Sequence, residues 1–390
     1  MMTMAGVMGR FAPSYLQTHR VSGGQQQLIR DIQQCRTSAL GEHWTACTSC
    51  GDIKVHYNSC GNRFCPNCQG VKKEKWILER THDLLPVKYF HIVFTLPSEL
   101  RAVCFQNQKL LYNLLFKSAW QTIDTFSKDP KQGIQARMGM IAVLHTWTQK
   151  LLYHPHIHCI VPAGGISADG SWKSCKSDGD FLFHVQALAE TFRGKFMEQV
   201  VRYYKSGGLI LEGKIKGLED KGTFWEWKRR LYDKIWVVNT REPFEKPDSV
   251  LDYLGRYTHR IAISNYRILA MDDKTVTFSY LDRNANQTKP ITLAGERFIG
   301  RFLLHVLPKG YCKIRHYGIL STRVKTVLLG AVRERFGLPQ TERPKYTVRD
   351  VMIISMGIDP YLCSVCKQGQ VIIIKETPRP RGSPKLPLAC

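Results

Sequence analysis

Hydrophobic positions change period along the chain, and the changes mark out its elements. Residues 87–96 (VKYFHIVFTL) form a nearly continuous run of β-branched and aromatic side chains closed by Pro97, which predicts a buried strand. From 99 to 126 the chain is rich in Leu, Phe and Trp and reads as helix. Residues 138–148 (MGMIAVLHTWT) and 156–166 (HIHCIVPAGGI) return to β character. They are joined through 149–155 and closed by Ala168-Asp169-Gly170-Ser171, so an antiparallel hairpin is predicted. Helical patterns occupy 185–204 and 221–233, a short strand is predicted at 235–239, and a second hairpin pairs 261–271 with 275–280 around Asp272-Asp273-Lys274. Upstream, the Gln-rich stretch 23–34 predicts a helix. So do residues 71–85, where Trp76, Ile77, Arg80 and Leu84 recur at helical spacing before Pro86.

Charge changes the picture. Lys and Arg number 56 against 32 Asp and Glu, a formal net charge of +24. Such an excess costs self-repulsion that a polyanion offsets, either nucleic acid or an anionic membrane surface. It is concentrated late: residues 297–349 hold twelve Lys or Arg and two Glu. No apolar run approaches the ~20 residues of a membrane span, and residues 1–13 lack the apolar core of a secretory signal. A cytoplasmic protein is expected. The Pro-, Lys- and Arg-rich tail, 377–390, is expected to be disordered.

The 13 cysteines are an odd count, and five fall between Cys47 and Cys68. Clustering of this kind in a chain without a secretory signal suits metal ligation better than a disulfide framework. Cys47-x-x-Cys50 and Cys65-x-x-Cys68, fourteen residues apart, have the spacing of one structural zinc site. Tetrahedral thiolate ligation leaves no open position, so the ion would fold residues 1–85 as a small zinc-binding unit and do no chemistry. Cys60 and His43 exceed the four ligands and could serve a second ion or replace one of the four. Lys54, Arg63, Phe64, Lys72, Lys73, Lys75 and Trp76 surround the cluster, which favours a surface facing nucleic acid. Cys363-x-x-Cys366 resembles half of another knuckle without assignable partners.

Two further strings carry chemistry. In Tyr153-His154-Pro155-His156-Ile157-His158, residues two apart point to one side of a strand, so His156 and His158 present their imidazoles together to one divalent cation. The preceding strand sets His145, Trp147 and Gln149 on a common face. Gln149 is the expected third ligand and His145 the alternative, while His154 is too close along the strand. Three ligands leave positions for water or a phosphate oxygen, as a catalytic Mg²⁺ or Mn²⁺ requires. Residues 247–259 have helix-start chemistry, and Tyr253 and Tyr257 lie four apart on one helical face. Arg256, His259 and Arg260 surround them with positive charge that can bind phosphate or favour phenolate.

Together these strings resemble the rolling-circle insertion-sequence transposases with two catalytic tyrosines, the insertion-sequence ninety-one family of His-hydrophobic-His endonucleases. The resemblance rests on residues 58–69 (NSCGNRFCPNCQ), 89–97 (YFHIVFTLP), His154-Pro155-His156-Ile157-His158, Tyr253-Leu254-Gly255-Arg256-Tyr257, 307–310 (LPKG) and Arg315-His316-Tyr317-Gly318. It implies an α+β fold: a central antiparallel sheet flanked by helices over 86–285, behind a small zinc-binding domain and before a basic, DNA-contacting region at 286–376. It also implies metal ligation by His156 and His158 and nucleophilic attack by Tyr253 and Tyr257 on single-stranded DNA at element ends, through 5′-phosphotyrosine intermediates. Arg256, Arg260, Lys309 and Arg315 are the candidate phosphate contacts. The resemblance further implies a bacterial, nucleoid-associated protein. A replication initiator or relaxase would use the same tyrosine chemistry, and a non-catalytic zinc-dependent DNA-binding protein would need neither tyrosine.

Overall fold

The computed structural model describes residues 2–131, 134–176, 180–244, 249–250, 255, 261–282, 284–338 and 344–378. In chain order its strands are β1 (Glu42–Cys47), β2 (Ile53–Tyr57), β3 (Tyr89–Thr95), β4 (Gly139–Trp147), β5 (Tyr153–Pro162), β6 (Gly164–Ile166), β7 (Trp172–Ser174), β8 (Val238–Phe244), β9 (Ile268–Met271), β10 (Thr275–Asp282), β11 (Gln287–Ala294), β12 (Ile314–Gly318) and β13 (Val371–Thr377). Its α-helices are α1 (Met4–Thr18), α2 (Gly23–Gln34), α3 (Gly70–Thr81), α4 (Arg101–Gln106), α5 (Gln108–Lys128), α6 (Val185–Lys205), α7 (Lys221–Asp233), α8 (Gly295–Leu303), α9 (Lys325–Arg335) and α10 (Val348–Met356).

The centre is a five-stranded antiparallel sheet in the order β12-β4-β5-β3-β8. Its period of two sorts side chains cleanly. Phe90, Ile92, Phe94, Ala142, Leu144, Ile157, Cys159 and Val161 go to one face, where α5 and α6 cover them with Leu111, Tyr112, Leu115, Phe116, Phe192 and Phe196. Each Phe, Ile, Leu and Val among them contributes about 1.5–3 kcal/mol on burial, so this layer is the main stabiliser of the sheet. The opposite face carries Tyr89, Ile141, Val143 and Ile160, packed under Leu84, Leu85, Val250, Ile319, Leu320 and Leu329. Beside this apolar patch, on the same face, stand the histidines. At the sheet edge β12 ends in a turn at Gly318, whose φ is +59°, and a Cβ there would run into the Met138 carbonyl. Only glycine fits both constraints.

A second body joins the two halves of the sequence. Met4, Met8, Phe11, Leu28 and Ile32 from α1 and α2 share one core with Val276, Phe278, Phe298, Ile299 and Phe302 from β10 and α8. The three-stranded sheet β11-β10-β9 lies under this core. α2 begins with a capping box, in which the Ser22 hydroxyl accepts from the Gln25 amide and the Gln25 side chain accepts from Ser22 N–H. A third sheet, β13-β1-β2, pairs the C-terminal strand with the N-terminal hairpin.

Several elements differ from the sequence expectations. The strand expected at 235–239 is β8, from Val238: Trp236 turns into the core beside Phe192 and Phe196, while Ile235 is 91% exposed. α1 and β11 carry no pattern that the hydrophobic periodicity singled out. The segment 286–376 contributes to three places in the structure: α8 packs in the N-terminal body, β12 completes the central sheet and β13 pairs β1. The boundary at 85 likewise crosses a core that contains both Phe11 and Phe298. Thr377, placed in the tail, pairs with Glu42. Residues 379–390 lie outside the described residues. Among the described residues no helix is long and apolar enough to cross a membrane.

Candidate functional site

The β4–β5 ladder pairs His145 with His156 and Val143 with His158, which puts His145, His156 and His158 on one face. Ring centroids are 5.5 Å apart for His145 and His156, and 4.9 Å for each of these with His158. One ring nitrogen from each lies within 4.8 Å of the others. A cation about 2.1 Å from each nitrogen fits that spacing. His145 and His158 are buried and His156 is partly exposed, so such a cation is approached from the His156 side.

The shell behind the ring nitrogens orients the rings. His158 Nδ1 stands 2.9 Å from Nε2 of His91 on β3. Burial first, then the charges of Arg241 and His156, pushes His91 down to about 3, so it is neutral at pH 7. With His91 Nε2 as the acceptor of the His158 Nδ1 proton, His158 Nε2 would turn its lone pair toward the cation position, the arrangement metal-ligating histidines adopt. His156 Nδ1 lies 2.7 Å from the His154 carbonyl, which only accepts, so Nδ1 donates and Nε2 carries the lone pair that a cation would take. His154 itself takes a hydrogen bond from Arg101 at 3.0 Å, and burial, then that guanidinium, pushes it down to about 4. His91 was passed over in the sequence, where its only signal is an imidazole inside an apolar strand.

Gln149, the expected third ligand, is not on the ladder. The register shifts between His145 and Trp147, β4 ends at Trp147, and the Gln149 carbonyl accepts from Arg267 at 2.5 Å in the turn beyond. Unbroken alternation would have kept 145, 147 and 149 on one face, and the bulge breaks it. His145 therefore takes the third place in the cluster.

Tyr253, Tyr257, Arg256, His259 and Arg260 lie outside the described residues. Their described neighbours are informative: Val250 is fully buried in the apolar patch with Ile160 and Tyr89, and Gly255 stands so close to Ile77 of α3 that a Cβ would overlap it. Lys309 is exposed in the turn that follows Leu307, and the Pro308 and Tyr311 carbonyls of that turn accept from Arg63 at 3.3 and 2.6 Å. Arg315, the other phosphate candidate, lies apart from the histidines. Register pairs it with Ala142, so it points to the helix-covered face, where it donates to Asn113 and Tyr311 and lies 4.5 Å over the Phe116 ring. It is on the wrong side of the sheet to meet a phosphate at the histidines.

The cysteines form two groups. Cys35, Cys60, Cys65 and Cys68 converge, with Cys68 Sγ 3.4 Å from Cys35 and 3.5 Å from Cys60, and Cys47 and Cys50 instead meet Cys363 and Cys366. A single ion on Cys47, Cys50, Cys65 and Cys68 is thus corrected. The hairpin explains it, because Cys47 and Cys50 sit at its turn while the 58–68 segment leaves its open end at Tyr57, about 15 Å away at ~3.3 Å per residue. His43 pairs with His56 across that hairpin and belongs to neither group. In the first group the four thiols crowd one another, so ionising one raises the cost of ionising the next, and a bound dication would offset that cost.

Residues 7–96 match the family described as "Transposase zinc-binding domain" and residues 139–327 the family described as "Putative transposase". The first match contains Cys35, Cys60, Cys65 and Cys68, which supports a structural zinc there. The second contains the three histidines and both tyrosines. "Putative transposase y4qJ" of Sinorhizobium fredii (strain NBRC 101917 / NGR234) is 39% identical over 390 residues, 98% of this chain and 97% of its own. The "Transposase for insertion sequence element IS801" of Pseudomonas savastanoi pv. phaseolicola is 29% identical over 347 residues, 87% of this chain and 81% of its own. Among solved structures, the metal-bound conjugative relaxase TrwC in complex with oriT DNA aligns with 44% of this chain and 71% of its own, at 11% identity and a TM-score of 0.25. With two transposase families matched in order and 39% identity along nearly the whole of both chains, this chain belongs to the IS91 and IS801 family of insertion-sequence transposases.

Proposed function

We propose that this transposase nicks and rejoins single-stranded DNA at the ends of its element by tyrosine attack, beside a divalent cation held by His145, His156 and His158. The observation that carries the reading is the convergence of three imidazoles on the sheet face where Val250 is buried. Bound there, Mg²⁺ or Mn²⁺ would polarise the scissile phosphate, and the imidazole set favours Mn²⁺ in affinity. The rest falls to the chain. Tyr253 or Tyr257 gives up its phenolic proton as its oxygen bonds to phosphorus. The bond to the 3′ oxygen breaks, and that oxygen takes a proton to become a 3′-hydroxyl, leaving a 5′-phosphotyrosine. With pKa ~10 only about one phenol in a thousand is ionised at pH 7. Arg256 and Arg260 supply positive charge that favours the phenolate. The second tyrosine permits a second transfer without hydrolysis, which suits moving one strand from element to target DNA.

The test is a covalent adduct on denaturing gels after incubation with single-stranded element ends and Mn²⁺ or Mg²⁺. His158→Ala and His145→Ala are expected to lose the metal-dependent adduct, whereas Gln149→Ala keeps it. His91→Ala should raise the metal concentration required by about 10–100-fold, since it acts only through His158. Adduct formation that ignores both metal and His145 would sink the proposed site.

The +24 charge gives an independent check. If the protein tracks a DNA backbone, binding to single strands should weaken with salt at a log–log slope of about −0.7 per phosphate contacted. A flat salt dependence would remove electrostatics from the account of binding.

A further inference from the structure

We infer that the chain carries a second closed thiolate site, in which Cys47 and Cys50 with Cys363 and Cys366 bind one Zn²⁺ and clip the C-terminal strand to the N-terminal sheet. The four Sγ atoms lie within 4.8 Å of one another, with Cys47 3.6 Å from Cys366 and Cys50 3.8 Å from Cys363. Sulfurs about 2.3 Å from a tetrahedral zinc stand ~3.8 Å apart, so the ion fits with little movement.

The two halves repeat one another, as zinc knuckles do. Cys47 Sγ accepts from the amides of Ser49 and Cys50 at 3.4 and 3.5 Å; Cys363 Sγ accepts from Val365 at 3.4 Å and Cys366 Sγ from Gly369 at 3.3 Å. The residue after each second cysteine donates its N–H to the carbonyl of the first at 3.1 Å, Gly51 to Cys47 and Lys367 to Cys363. Both hold positive φ, +71° and +58°. A lysine seldom adopts that region, and here it reproduces the conformation of its glycine counterpart. Amides aimed at sulfur stabilise thiolates, and each thiol that binds the ion releases its proton to solvent.

The hairpins also lock together around the site. Thr48 N–H donates to the Gln370 carbonyl at 2.9 Å, Gln370 N–H returns to the Thr48 hydroxyl at 3.1 Å, and a Cβ on Gly369 would overlap Cys47 Sγ. Four sulfurs leave no open position, so the ion is structural and of the zinc class. The zinc-binding family match ends at residue 96, so half of this site lies beyond it. What the ion closes is a loop of 313 residues between Cys50 and Cys363. The same returning segment contains α10, which packs on α3, the helix against which Gly255 stands. The clip thereby holds the segment from α10 to β13 beside α3 and the proposed cleavage face.

Metal analysis of the full-length protein, purified under reducing conditions, should give two thiolate-bound zinc ions per chain, besides any metal held at the three histidines. Cys363→Ser combined with Cys366→Ser should keep one and become protease-sensitive within 344–378. Should that variant fail to fold, cobalt titration of the unaltered protein gives the same answer, two equivalents each with the charge-transfer band of a tetrathiolate site. One metal ion per wild-type chain, iron in place of zinc, or a double variant that still holds two thiolate-bound zinc ions would overturn the inference.

Discussion

Replacing Tyr253 and Tyr257 together by phenylalanine is expected to abolish the covalent DNA adduct while leaving DNA affinity within about twofold, since Phe keeps the ring and removes only the hydroxyl. Among the described residues, the tyrosines of the central sheet and its helices are poor substitutes. The Tyr89 hydroxyl is buried and accepts from the Leu85 amide, and burial pushes its phenol up. Tyr112 and Tyr153 share a 2.6 Å hydrogen bond beneath the helices, on the far face of the sheet, and burial pushes both up. None of these three phenols is accessible to a phosphodiester. Each single Phe change then assigns a step: the tyrosine whose loss removes first-strand nicking initiates, and the other should fail only at strand transfer. Adducts formed by the double Phe protein would end the tyrosine mechanism.

What the sequence revealed follows from how far each signal reaches along the chain. Period two in β3, β4 and β5 is local, so the sheet, its faces and the His156–His158 pair were all legible. A bulge leaves no mark on hydrophobic alternation, which is why Gln149 was favoured over His145. The cysteine partners were hidden by distance. Cys35 stands alone in sequence, 25 residues before Cys60, and Cys366 lies 319 residues from Cys47. Spacing rules see two C-x-x-C pairs and join them, whereas the hairpin between them sends each pair to a different end. α8 was legible only as part of a basic stretch, because its charges, Arg297 and Arg301, are evident while Phe298, Ile299 and Phe302 bury themselves against α1.

Cys65→Ser is expected to be the most destabilising change in the protein, and its effect should not stay within the N-terminal unit. Cys65 is 0% exposed and Cys60 2%, and both lie in the same apolar core as Phe11, Leu151, Ile263 and Phe298. Losing one of four ligands leaves a buried hydroxyl among three thiols. Structural zinc contributes on the order of 10 kcal/mol, comparable with the whole 5–15 kcal/mol by which a domain is stable. The body built from residues 4–65 and 262–303 should therefore unfold as one, while the central sheet under α5 and α6 keeps its own core. Calorimetry should show the single-ligand variant losing an early transition outright, and chelator treatment of the unaltered protein should reproduce that loss. Cys363→Ser should cost far less, because β2 and most of β13 are exposed and little apolar core depends on that clip. Equal melting of Cys65→Ser and the unaltered protein would show that the cluster of Cys35, Cys60, Cys65 and Cys68 holds no ion that stabilises the fold.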